Sequence, residues 1–134
     1  MIICSADKSG QVLTISHSQH VRVEEVRRCL GTVRALMDKL KPGFFLLVDL
    51  STLESMDAAC APDLGAIMDL CSARGVSTVV RVIPDRNKDI GLNLISRFHY
   101  HVKVNTQTFE SLAEAIKSLL AEHLVASPIG MTST

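Results

Sequence analysis

The side chains able to do chemistry are few and scattered along the chain. Five histidines, His17, His20, His99, His101 and His123, invite a metal reading, because His17 and His20 follow one predicted strand and His99 and His101 flank another. No H-E-x-x-H or comparable ligand spacing accompanies them, so solvated or packed imidazoles are expected and no metal is assigned. Cys4, Cys29, Cys60 and Cys71 are spaced by 25, 31 and 11 residues without a C-x-x-C pair. Such thiols, in a chain able to build its own core, are expected to be reduced and buried in a cytoplasmic setting. Glycine-rich phosphate loops and a G-x-S-x-G elbow are missing, and no serine has an evident His/Asp pairing. No cofactor and no catalytic residue follow from these patterns.

One segment stands apart, running from Asp49 through Ser51, Glu54, Ser55, Met56, Asp57, Ala58 and Ala59 to Cys60. It joins an apolar run to a helical pattern, so the helix starts at the carboxyl end of a sheet with unsatisfied N–H groups facing outward. Asp57 has the chemistry of an N-cap.

The elements that position this segment follow from periodicity. Ile2 to Ser5 and Gly10 to Ser16 read as a strand hairpin across the turn Lys8-Ser9-Gly10. From about Val21 to Leu40, apolar residues at Val23, Val26, Leu30, Val33, Met37 and Leu40 line one helix face, stopped by Pro42-Gly43. Phe44 to Leu50 suits a strand buried on both faces, with a loop from Ser51 to Asp57. Ala58 to Ala73 reads as a helix with Leu64, Ile67, Leu70 and Cys71 inward, capped by Gly75, and Val76 to Ile83 as a β-branched strand. A third helix is expected from Asp85 or Asn87 to Phe98, then a short edge strand from His101 to Val104. Thr106 or Thr108 would cap a last helix carrying Phe109, Leu112, Ile116, Leu119 and Leu120. The order ββαβαβαβα demands an α/β fold, a mostly parallel, mixed sheet of about five strands flanked by about four helices. Residues 1–124 form one domain in this reading, and 125–134 a flexible tail.

Composition restricts the partners. The 134 residues carry 14 basic and 14 acidic side chains, so no bulk field draws in nucleic acid or an anionic membrane. Aromatics are 4% with no Trp, which disfavours base-stacking surfaces. No apolar stretch approaches the ~18 residues of a membrane span, and the first residues lack the basic and apolar regions of a signal peptide.

The runs VDLSTLESMDAAC and LGAIMDLCSARGVSTVVRVIPD, the helix ending ISRFHY and the closing TFESLAEAIKSLL resemble the STAS domain, the fold of bacterial anti-sigma-factor antagonists. The resemblance spans about residues 10 to 122. It implies a STAS-like fold and a module without catalysis of its own, acting in transcription regulation by binding an anti-sigma factor that is also a protein kinase. Members are switched off by phosphorylation of the second Ser in Asp-Ser-Ser-Gly. Here Asp57 matches the Asp, Ala58 and Ala59 stand at the serines, and Cys60 replaces the Gly. Ala59, at the phosphorylation-site equivalent, has no hydroxyl, so the switch is unavailable there. His17-Ser18-Gln19-His20 also replaces the family's early Gly-x-Leu-Asp.

The expected partner surface comprises Ser55, Met56, Asp57, Ala58, Ala59, Cys60 and Asp63, with Asp85 and Arg86 from the turn Pro84 to Lys88. It is small and apolar, rimmed by charge. A homodimer is compatible with the pattern. The alternatives are a small-ligand or lipid-sensing STAS-like domain with a crevice lined by Met37, Met56, Met68 and Phe98, and a redox protein built on Cys60.

Overall fold

A computed structural model describes residues 1–83 and 104–126, without the side chains of 122–126. Two strands open the chain, β1 (Ile2–Ala6) and β2 (Val12–Val21), antiparallel in the register Ile2 opposite His17 to Ala6 opposite Leu13. Their turn is held by Asp7, whose Oδ1 accepts the backbone N–H groups of Gln11 at 2.8 Å and Val12 at 3.0 Å. Gly10 has φ +72°, and a Cβ there would lie 2.0 Å from the Lys39 carbonyl oxygen, so no other residue fits.

The chain continues through α1 (Val23–Leu36), a 3₁₀ turn (Met37–Lys39), β3 (Phe45–Met56), a second 3₁₀ turn (Ala58–Cys60), α2 (Ala61–Arg74) and β4 (Thr78–Val82). After the residues outside the description come β5 (Asn105–Phe109) and α3 (Leu112–Ala126). The sheet runs β1-β2-β3-β4-β5, and β2 to β5 are parallel. Right-handed crossovers between strands laid down in sequence put their connecting helices on one face. There Val26, Cys29, Leu30 and Val33 of α1 and Leu64, Ile67 and Cys71 of α2 cover Leu13, Ile15, Leu46, Leu50 and Val79. Ala115 and Leu119 of α3 pack on the opposite face against Leu47, Val80 and Val82. Alternating strand residues thus feed two cores, which is why Phe44 to Leu50 is apolar without alternation.

Several boundaries differ from the sequence expectation. The region Ser51 to Met56 is strand rather than loop, because β2 continues to Val21 and supplies a ladder for it. The second helix opens with a 3₁₀ turn at Ala58. The edge strand among the described residues is Asn105–Phe109; of the expected His101 to Val104, Val104 is outside any strand and 101–103 lie outside the described residues. Thr106, Thr108 and Phe109 therefore belong to β5, and the cap falls to Ser111, whose Oγ accepts the Glu114 N–H at 3.2 Å. On α3, Leu112, Ile116 and Leu120 are exposed, while Leu119 is buried. The expected third helix and the tail beyond Ala126 lie outside the described residues.

One buried group sets a pH limit. His17 extends the buried face of Leu13 and Ile15, is 4% exposed, and its Nδ1 has no partner among the described residues. Burial pushes its pKa from 6.5 down to about 4, with the chain-terminal ammonium adding to the fall and the Asp49 carboxylate opposing it. Between those values the unfolded chain binds a proton that the folded one refuses, so stability falls as pH drops, by about 1.4 kcal/mol per unit. His17→Leu is expected to remove roughly 2 kcal/mol of the stability loss between about pH 7 and pH 5, read from urea midpoints. Equal losses in parent and variant would place the acid sensitivity elsewhere. Gly10→Ala is expected to cost at least about 2 kcal/mol at neutral pH by the same measurement.

Candidate functional site

The pairing of β2 with β3 is irregular where it matters. From the Val12/Phe45 pair to the Val21/Met56 pair, β3 takes two more residues than β2, with register shifts between Ser16 and Ser18 and between Gln19 and His20. The first shift lets Leu50 and Leu53, three apart, both enter the core on the α1 and α2 face, which strict alternation forbids. At the second, Gln19 takes φ +59°, a left-handed conformation uncommon for a residue with a side chain. Beyond it His20 stands directly opposite Ser55.

That placement builds a hydrogen-bonded chain. His20 Nδ1 lies 2.6 Å from Ser55 Oγ, and His20 Nε2 lies 2.9 Å from Asp57 Oδ1. A carboxylate only accepts, so Nε2 carries a proton and donates it; in neutral imidazole Nδ1 is then the acceptor for the Ser55 hydroxyl. The His20 and Asp57 side chains are 46% and 42% exposed. Asp57 makes no side-chain cap bond, contrary to the N-cap expectation; its carboxylate turns to His20 instead. Its backbone N–H continues the strand pairing to the Val21 carbonyl at 3.0 Å, and its carbonyl accepts the Cys60 N–H at 3.0 Å.

The expected surface residues are distributed around this chain. Ser55, Ala58 and Ala59 are exposed and Met56 is half-buried. Asp63 pairs with Arg27 at 3.3 Å, joining α2 to α1 beside the site. Cys60 points inward, fully buried, with Sγ 3.9 Å from the Val21 carbonyl oxygen. Burial, with Asp57 and Asp63 nearby, pushes its thiol pKa up, the reverse of what a reactive thiolate needs. Burial likewise pushes Cys29 and Cys71 up to about 12. Asp85 and Arg86 lie outside the described residues. Met37, Met56 and Met68 are part-buried and pack against the core, and Phe98 lies outside the described residues. A cavity of about 210 Å³ occurs elsewhere, between β1 and α1, lined by residues including Cys4, Glu25 and Cys29.

The sequence reading missed the Ser55–His20–Asp57 chain. Its members are 35 and 37 positions apart, and only the parallel register brings them together. The legible signal was that His20 follows one predicted strand and Ser55 the next, at the same end of a mostly parallel sheet.

No family model and no curated protein matches this sequence. Solved structures do. The chain is similar to the anti-sigma factor antagonist SpoIIAA in its unphosphorylated form, at 10% identity over 90% of this chain and 98% of that one, with a TM-score of 0.60. The fold is STAS-like. A protein from Shewanella loihica with a SpoIIAA-like fold matches at 15% identity, 89% and 92% coverage and a TM-score of 0.62. An anti-sigma factor antagonist from Mycobacterium paratuberculosis matches at 17% identity, 90% and 95% coverage and a TM-score of 0.55. At these identities the STAS-like likeness is one of fold.

Exposed pairs contribute little to global stability, so the chain is held by the fold rather than holding it. His20→Gln and Ser55→Ala are each expected to change unfolding free energy by less than about 1 kcal/mol in urea titration. A larger loss would make the cluster structural. Iodoacetamide is expected to modify Cys60 in the folded protein far more slowly than in the denatured chain, and rapid native labelling would revive the redox alternative.

Proposed function

We propose that this chain is a non-enzymatic, cytoplasmic regulatory module that binds a protein partner, an anti-sigma factor being the favoured class, through Ser55–Ala59 and the start of α2. The observation that carries this reading is the exposed pair Ala58 and Ala59 at the carboxyl edge of the sheet, rimmed by Asp57 and the Arg27–Asp63 pair. Small apolar side chains let another surface approach the backbone closely, while the rim supplies orientation. Asp85 and Arg86 would extend that rim in the same reading. The fold shared with two anti-sigma factor antagonists supports the choice of partner class.

With Ala59 in place of a hydroxyl, binding is constitutive at this position and no phosphoryl group can oppose it there. Among the described residues, no helix is long and apolar enough to cross a membrane.

Affinity capture tests the reading. Ala59→Asp places a carboxylate at the centre of the proposed contact and is expected to weaken capture of an anti-sigma factor at least tenfold, about 1.4 kcal/mol, with the urea midpoint unchanged. Undiminished capture by the variant would move the interface off this surface.

A further inference from the structure

We propose that Ser55 is an activated nucleophile that accepts an acyl group from a small activated ester, with His20 as its general base and Asp57 as the residue that positions the base. The geometry is that of a nucleophile, a base and an orienting carboxylate in one chain, at 2.6 Å and 2.9 Å. Asp57 fixes the tautomer. By accepting the Nε2 proton it leaves the Nδ1 lone pair on the serine hydroxyl, where a base must act. The fold fixes the positions, because His20 and Ser55 are register partners on adjacent strands rather than tips of separate loops.

The step balances without another component. Ser55 Oγ attacks the ester carbonyl carbon as its proton passes to His20 Nδ1, the new Oγ–C bond forms, and the bond from carbon to the leaving oxygen breaks. The leaving oxygen departs with the electron pair and takes the proton from His20, directly or through water. Serine ester and free alcohol or phenol result, and nothing is oxidised or reduced.

The surroundings favour a neutral acyl group over a phosphoryl group. Asp57 lies across the imidazole ring, so a phosphate of roughly −2 charge would meet a like charge. Since His20 is 46% exposed, water competes for its proton, and rate gain at the low end of general-base catalysis, about a hundredfold, is expected.

The test incubates full-length protein with p-nitrophenyl acetate and maps the adduct by peptide mass spectrometry. One acetyl group on Ser55 is expected, with its rate of appearance lowered about a hundredfold in His20→Gln. Nitrogen NMR of the imidazole should report the Nε2–H tautomer in the parent and its loss in Asp57→Leu, where no side-chain acceptor remains, together with a fall in the Ser55 acetylation rate that a purely structural role would not produce. Circular dichroism of each variant checks that it is folded. Acetyl found only on lysines, or on Ser55 at the same rate in His20→Gln, overturns the assignment. With acetyl phosphate as donor, phosphorylation of Ser55 in place of acetylation overturns the choice of group.

Discussion

The two irregularities in the β2–β3 ladder are the constraint on which the rest of the site depends. A parallel pair of unequal length has two outcomes, an early end to pairing or an extra residue accommodated within it. Here the second holds, and β3 stays paired from Phe45 to Met56. Leu50 and Leu53 remain in the core beneath α1 and α2, and the strand ends where a 3₁₀ turn can lead into α2. A β3 ending at Leu50 would leave Leu53 without a place in the core and Ser55 with no fixed neighbour. The left-handed Gln19 is the conformational cost of that arrangement, and the core it preserves lies immediately beneath it.

Anchoring from below also explains the division of labour among the residues after β3. Cys60 is turned fully inward and Val21 closes the same corner of the core, so the backbone between them is fixed by packing and by bonds through Asp57 N–H and carbonyl. The Asp57 side chain is therefore released from capping. A helix that opens through a 3₁₀ turn and carries Pro62 in its first turn has less use for a side-chain cap, since Pro lacks an N–H to satisfy. The carboxylate is free to orient His20.

Much of this fold was legible because each strand and helix carries its own signal. Phe44 to Leu50 announced burial on both faces, Gly75 announced a left-handed helix end that it adopts at φ +95°, and alternation of strand and helix announced a mostly parallel sheet. What was not legible depended on pairing. Ser51 to Met56 has the polar composition of a loop and becomes strand because a partner edge is available. Thr106 and Thr108 carry cap chemistry and equally strand propensity, and β4 decided between them by offering Val79 and Arg81 as register partners. The site failed to show for the same reason: no local pattern links His20 to Ser55 across 35 positions. A histidine four residues past one predicted strand and a serine in the predicted loop after the next were individually unremarkable.

The hydrogen-bonded chain also limits what can cover it. Both His20 nitrogens are already satisfied inside the protein, so a surface laid over the ring takes no hydrogen bond away from it. The Asp57 carboxylate differs, since only Oδ1 is engaged by His20 and burial of a carboxylate is costly without further donors. On the partner-binding reading, the covering surface must be apolar opposite Ala58 and Ala59 and must bring an N–H donor, best a guanidinium, to Asp57. Closure of such a surface would also exclude the water that competes for the His20 proton, strengthening the hold of the imidazole on the Ser55 hydroxyl. A guanidinium on Asp57 would also draw on the carboxylate that orients His20, so docking and serine reactivity would be coupled through that one carboxylate without any change in the fold.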